Sequence, residues 1–182
     1  MALAPPGANG KQAAFTLLEV LVTCALVAAL AGLLLGAGRH ATDAARAART
    51  QAELATLTAA LDAYRRACGD FPRTADGGRL LQSLLGRFDP AGESMAGRTC
   101  VDLGRLTVRD GRDPLTDAAA ELVDAWGEPY HYAYRTLEPW RNASFILYSA
   151  GPDGAVATSL LAGGFVDETA PANADNLYPG HR

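Results

Sequence analysis

The residue that demands most of its surroundings is Glu19. It stands in an apolar run from Phe15 to Gly38, where it is the only ionisable side chain of consequence. A carboxylate in so apolar a helix is costly unless it meets a cation or a donor, so it marks a contact with another group. The three cysteines differ in kind. Cys24 lies inside the run, whereas Cys68 and Cys100 lie beyond it and either form one bridge in an oxidising compartment or remain two thiols. Asp153 sits in a Gly-Pro-Asp-Gly turn, and Asp167, Glu168, Asp175 and Asn176 follow in the tail. By themselves these residues read as a solvated acidic loop behind a Gly-Pro-Asp-Gly turn. His40, His131 and His181 are isolated, and no spacing among them and the cysteines suits zinc. There is no glycine-rich phosphate loop and no nucleophile elbow, and the chain reads as no enzyme.

The run that holds Glu19 is long enough to cross a hydrocarbon core of about 30 Å as a helix. Residues 1–14, MALAPPGANGKQAA, carry Pro5, Pro6, Gly7 and Gly10 with a single cation at Lys11, and read as a targeting leader. Behind the run, Ala47, Thr50, Leu54, Leu57, Leu61, Tyr64 and Cys68 advance by alternating steps of three and four. That spacing makes one apolar stripe on a continuing helix, with Arg46, Arg49, Glu53, Asp62, Arg65 and Arg66 expected mostly elsewhere. Gly69 suits a helix end and Pro72 blocks continuation. Leu80–Leu85 suits a short amphipathic helix, while residues 86–123 read as a long loop with one strand near 103–108. Tyr130–Tyr134 and Ser144–Ser149 read as an antiparallel pair. The fold class expected is α+β, a long N-terminal helix packed on a small antiparallel sheet. A chain of 182 residues has room for one modest domain beside the apolar segment, and a net charge of −4 argues against a polybasic surface, so no nucleic acid is expected as partner.

Phe15-Thr16-Leu17-Leu18-Glu19-Val20-Leu21-Val22, set behind a short polar leader, resembles the class III signal of type IV prepilins and type II secretion pseudopilins. LDAYRRACGDFP at 61–72 and DAWGEPY at 124–130 are similar to the major, G-type pseudopilins. The resemblance implies a pilin-like fold with a leader at 1–14, a membrane-spanning helix at 15–38 and a periplasmic domain at 39–182. It implies a cut between Ala14 and Phe15 by the prepilin peptidase, then N-methylation of Phe15; Ala14 stands where the family usually has glycine. Glu19 would meet the Phe15 amine of a neighbouring subunit and set register in the filament. The chain end resembles the family's calcium loop, in which Ala150 offers a carbonyl, Asp153 and Asp175 offer carboxylates, and Asn176 lies nearby. Here 21 residues separate the two aspartates, more than in the family loop.

Flanking charge alone, with Lys11 before the run and Arg39, His40, Arg46 and Arg49 after it, would place the C-terminal side in the cytoplasm. The resemblance implies the reverse, a single-pass inner-membrane protein with its C-terminal domain in the periplasm. The implied partners are the prepilin peptidase, other pseudopilins and further copies of this chain, and the inner-membrane assembly platform. The expected function is a structural subunit of a type II secretion pseudopilus that drives protein export. The alternative is a minor pilin of a type IV pilus or competence system, acting as a binding or priming subunit. A non-assembling single-pass protein, or a plain signal peptide removed near Gly38, would leave Glu19 unexplained.

Overall fold

The computed structural model describes residues 16–157 and 159–180, with backbone alone for 33–40. The leader, the expected cut at Ala14 and Phe15, and His181 lie outside the described residues. Helix α1 runs Leu17–Cys68. Thr16 starts it, its carbonyl and hydroxyl accepting the Glu19 N–H at 3.0 and 3.3 Å. The Thr-x-x-Glu spacing is therefore also an N-terminal cap, with an acid in the first turn. Gly69, at φ +90°, closes the other end by donating to the Arg65 carbonyl at 2.8 Å.

The chain divides into two compact units, residues 1–42 and 43–182. In the first, Leu17, Leu18, Leu21, Leu26, Val27 and Leu30 are exposed, Leu17 by 84%. Among the described residues no helix is long and apolar enough to cross a membrane. The span expected over 15–38 is described only in part, because Phe15 and the side chains from Leu33 onward fall outside.

In the second unit the stripe on α1 becomes the core. Leu54, Leu57, Leu61 and Tyr64 are buried against Leu80, Leu81 and Leu84 of α2 (Gly77–Leu84), together with Tyr132 and Leu147. Asp76 caps α2, accepting the Arg79 N–H at 2.6 Å. Among the described residues there are, instead of one sheet, two separate antiparallel pairs. Strand β1 (Thr107–Val108) pairs with β2 (Leu122–Val123) in the register Thr107 to Val123. Strand β3 (His131–Ala133) pairs with β4 (Ile146–Tyr148) in the register Tyr132 to Leu147. The strand expected near 103–108 shortens to two residues because Asp102 accepts the Gly104 N–H and folds Leu103–Arg105 into a 3-10 turn.

Both faces of the β3–β4 pair are covered. Tyr132 and Leu147 face the helix core, while Ala133, Ile146 and Tyr148 pack with Val156, Leu160 and Val166. The long segment between Asp153 and Asp175 is thus the cover of the outer face. Burying Ile146 and Tyr148 there is worth about 1.5–3 kcal/mol each.

Candidate functional site

The end of β4 delivers the expected acidic loop. Ser149 and Leu177 exchange two backbone hydrogen bonds at 3.0 Å, which lays residues 150–153 beside 175–176. The Asp175 carboxylate accepts the Asp153 N–H at 3.3 Å, and Asp153 itself caps Ala155 N–H at 2.7 Å. Gly151 adopts φ +71°, and a Cβ there would overlap the Asp175 carbonyl oxygen. Asn176 turns its amide nitrogen to the Asn173 Oδ1 at 3.1 Å, leaving its own Oδ1 buried with no hydrogen-bond partner.

The structure therefore brings Ala150, Asp153, Asp175 and Asn176 to one loop pair, although 21 residues separate the two aspartates. The donors are all oxygens, and the Asn176 Oδ1 is a buried acceptor without a partner, a donor chemistry of the kind a hard cation takes. Among the described residues no three His, Cys, Asp or Glu side chains gather as a metal cluster. Two carboxylates would have to be completed by carbonyl, amide and water oxygens.

Three organising residues were not singled out in the sequence, although Asp124 and Asp70 lie within the DAWGEPY and LDAYRRACGDFP segments. Asn173, 3% exposed, accepts the Ala157 N–H at 2.9 Å and donates to the Asp167 carbonyl at 2.7 Å, which folds the covering segment onto itself. Asp124, 2% exposed, accepts the Trp126 and Glu128 N–H groups at 2.9 and 3.0 Å and the Ser149 hydroxyl. Ser149 Oγ in turn accepts the Gly151 N–H at 3.1 Å, and Ala125 N–H reaches Thr50 on α1 at 3.3 Å. The Asp-Ala-Trp-Gly turn is therefore a polar knot between α1, β4 and the acidic loop. Asp70 is the third. Burial alone would raise its pKa, but hydrogen bonds from Tyr134, Arg73 and the Phe71 N–H, with the charge of Arg135, outweigh that and hold it below its ordinary value.

Glu53 corrects the expectation that placed it off the stripe. It is 4% exposed and takes the Tyr130 hydroxyl at 2.6 Å and Arg49 Nε at 2.8 Å. Arg49 also donates to Thr107, so the carboxylate joins α1 to both strand pairs. Burial first, then the hydrogen bond to Glu53 and its charge, push the Tyr130 phenol far above its ordinary value and keep it a donor. His131 is stacked on Tyr148 at 4.9 Å, and burial lowers its pKa against the opposing charges of Asp124 and Glu128. Glu19 lies exposed in the first turn of α1. Cys24, Cys68 and Cys100 are free thiols, the latter two half-buried against the main core.

The model of the prokaryotic N-terminal methylation motif matches residues 9–35. The chain is also 28% identical to the type II secretion system core protein G of Pseudomonas aeruginosa over 145 residues, 79% of this chain and 86% of that protein. No solved structure matches it.

Proposed function

We propose that this chain, which carries the prokaryotic N-terminal methylation motif and resembles the type II secretion core protein G, is a pilin-like structural subunit of a type II secretion pseudopilus. The observation that carries the reading is the reach of the second match. A methylation motif at 9–35 would fit any pilin, whereas likeness to core protein G extends over 145 residues and so into the folded domain. The role is assembly and not catalysis.

In this reading the leader is cut after Ala14 by the prepilin peptidase and the new Phe15 amine is methylated. Residues 15–38 hold the subunit in the inner membrane with the domain in the periplasm, until the assembly platform draws it into a filament with other pseudopilins and copies of itself. Glu19 pairs with the Phe15 amine of a neighbour, because a carboxylate and an ammonium in an apolar filament core have only each other. Leu17, Leu18, Leu21 and Leu30, exposed in the single chain, would then be covered by lipid or by neighbouring helices. Calcium belongs to the same reading: Asp153, Asp175, the Ala150 carbonyl and Asn176 Oδ1 would hold it, and it would pin the two loops together.

The test is made in cells lacking the chain, with enzyme export assayed beside DNA uptake and surface motility. Export is expected to fail, to return with the wild-type chain, and not to return with Glu19→Ala although that variant reaches the membrane. Intact export with lost uptake or motility would replace this reading with the minor-pilin one.

A further inference from the structure

Strand β3 has one bonded edge and one open edge. Its register sets His131 opposite Tyr148 and Ala133 opposite Ile146. Just outside it, Tyr130 and Tyr134 turn their N–H groups the other way, to the Leu122 carbonyl at 3.3 Å and the Thr74 carbonyl at 3.2 Å. Backbone groups alternate along an extended strand, so the N–H and C=O of Tyr132 point to that same outer edge. Strand β4 agrees, because Ser149 exchanges its bonds with Leu177 and so leaves Ile146 and Tyr148, not Leu147, to bond β3. Among the described residues no backbone group pairs with Tyr132 at the outer edge. Strand β2 stops short of it, since the Ala120 N–H folds back to the Asp117 carbonyl at 3.2 Å. Tyr132 is 4% exposed, and a backbone pair in so buried a residue calls for a partner.

A cavity of about 490 Å³ lies along this edge, within the range of about 300–1,000 Å³ that small ligands occupy. Tyr132 lines it, as do His131 and Tyr148, stacked at 4.9 Å, with Val156 and Leu160 of the covering segment. Glu121 lines it too. Arg109 holds one Glu121 carboxylate oxygen at 2.6 Å, and the other lies beside Gly77, 3.4 Å from where a Cβ would stand. Gly77 opens α2 and has no side chain to fill that corner.

We propose that this cavity binds a small molecule that carries a primary carboxamide on an aromatic ring. The carboxamide pairs with Tyr132 as a neighbouring strand would: its oxygen accepts the Tyr132 N–H, and one of its N–H groups donates to the Tyr132 carbonyl. Its second N–H goes to the Glu121 carboxylate, and the ring lies among His131, Tyr148, Val156 and Leu160. Other ligands fail on named groups. A carboxylate brings no donor and meets the charge of Glu121. A tertiary amide also lacks the donor. An extended peptide needs more edge than is free, since Leu122 and Thr74 already hold the positions two residues away on either side.

The test titrates the full chain in detergent with benzamide and follows backbone amides by NMR and hydrogen exchange. A saturable response in the millimolar range is expected, the strength a ligand of this size allows, centred on Tyr132 and with exchange of its N–H slowed several-fold. Benzoate and N,N-dimethylbenzamide are expected to leave Tyr132 unmoved. Glu121→Ala is expected to weaken benzamide several-fold. Ala157→Leu, which narrows the cavity from the covering segment, is expected to abolish the response in a chain whose other amide signals are unchanged. No saturation by benzamide would mean that the cavity holds water only. An equal response to N,N-dimethylbenzamide, or a response centred away from Tyr132, would equally overturn the proposal.

Discussion

Glu53 shows how one side chain can join elements that share no sequence neighbourhood. Its two carboxylate oxygens are divided between Arg49, one helical turn before it, and Tyr130, immediately before β3. A buried carboxylate is tolerable only while both are engaged, since truncating one partner leaves the other group desolvated. Tyr130→Phe removes one donor and is expected to lower stability by about 1–2 kcal/mol, and Glu53→Ala by more. In a double-mutant cycle followed by thermal melting, the two changes should couple by about 1 kcal/mol or more. Strictly additive losses would mean that the 2.6 Å contact contributes nothing of its own.

At the scale of elements, the stripe on α1 was legible because it repeats: Thr50, Leu54, Leu57 and Leu61 are all fully buried. The same arithmetic places Glu53 on that face, three residues after Thr50 and four before Leu57. Residue type overrode spacing, and the partner that permits burial lies 77 residues away. The strands that hold Tyr132 and Leu147 were readable, and so was their antiparallel pairing, but not the register that sets these two residues opposite each other. Strand β1 was readable only as part of a longer strand at 103–108, and its partner β2 was not readable, since two residues carry no period; Arg109 and Glu121, joined at 2.6 Å, flank the pair. The acidic loop was found through its resemblance, while its support by Asp124, Ser149 and Asn173 is tertiary and leaves no local signal. Gly151 tests that support. Alanine there must adopt φ +71° and push on the Asp175 backbone, so Gly151→Ala is expected to cost ~2 kcal/mol and about 6 °C in melting temperature. Wild-type melting would show that the loop pair yields freely.

At the scale of the molecule, the acidic loop and the cover of the outer sheet face are one structure. Residues 155–174 leave from beside Asp153 and return at Asp175, and between those points they supply Val156, Leu160 and Val166 to the second core. A cation bound at the loop ends would close this segment into a ring and so act on the whole domain. Because calcium would bind the folded chain and not the unfolded one, a free concentration of 100 times its Kd should add about 2.7 kcal/mol. For the full chain in detergent that is a rise of about 8 °C, reversed by chelation. Asp175→Asn removes a carboxylate charge while keeping an oxygen to accept the Asp153 N–H, so it should melt near the wild-type chain in chelator and gain little from calcium. A wild-type transition that ignores both calcium and chelator would make Asp153 and Asp175 a solvated turn held by hydrogen bonds alone. Magnesium is the control at equal concentration, since two carboxylates with carbonyl and amide oxygens form a loose, many-oxygen set that suits the larger ion and not a strict octahedron. A response to magnesium as large as that to calcium would reduce the effect to general charge screening of the acidic tail.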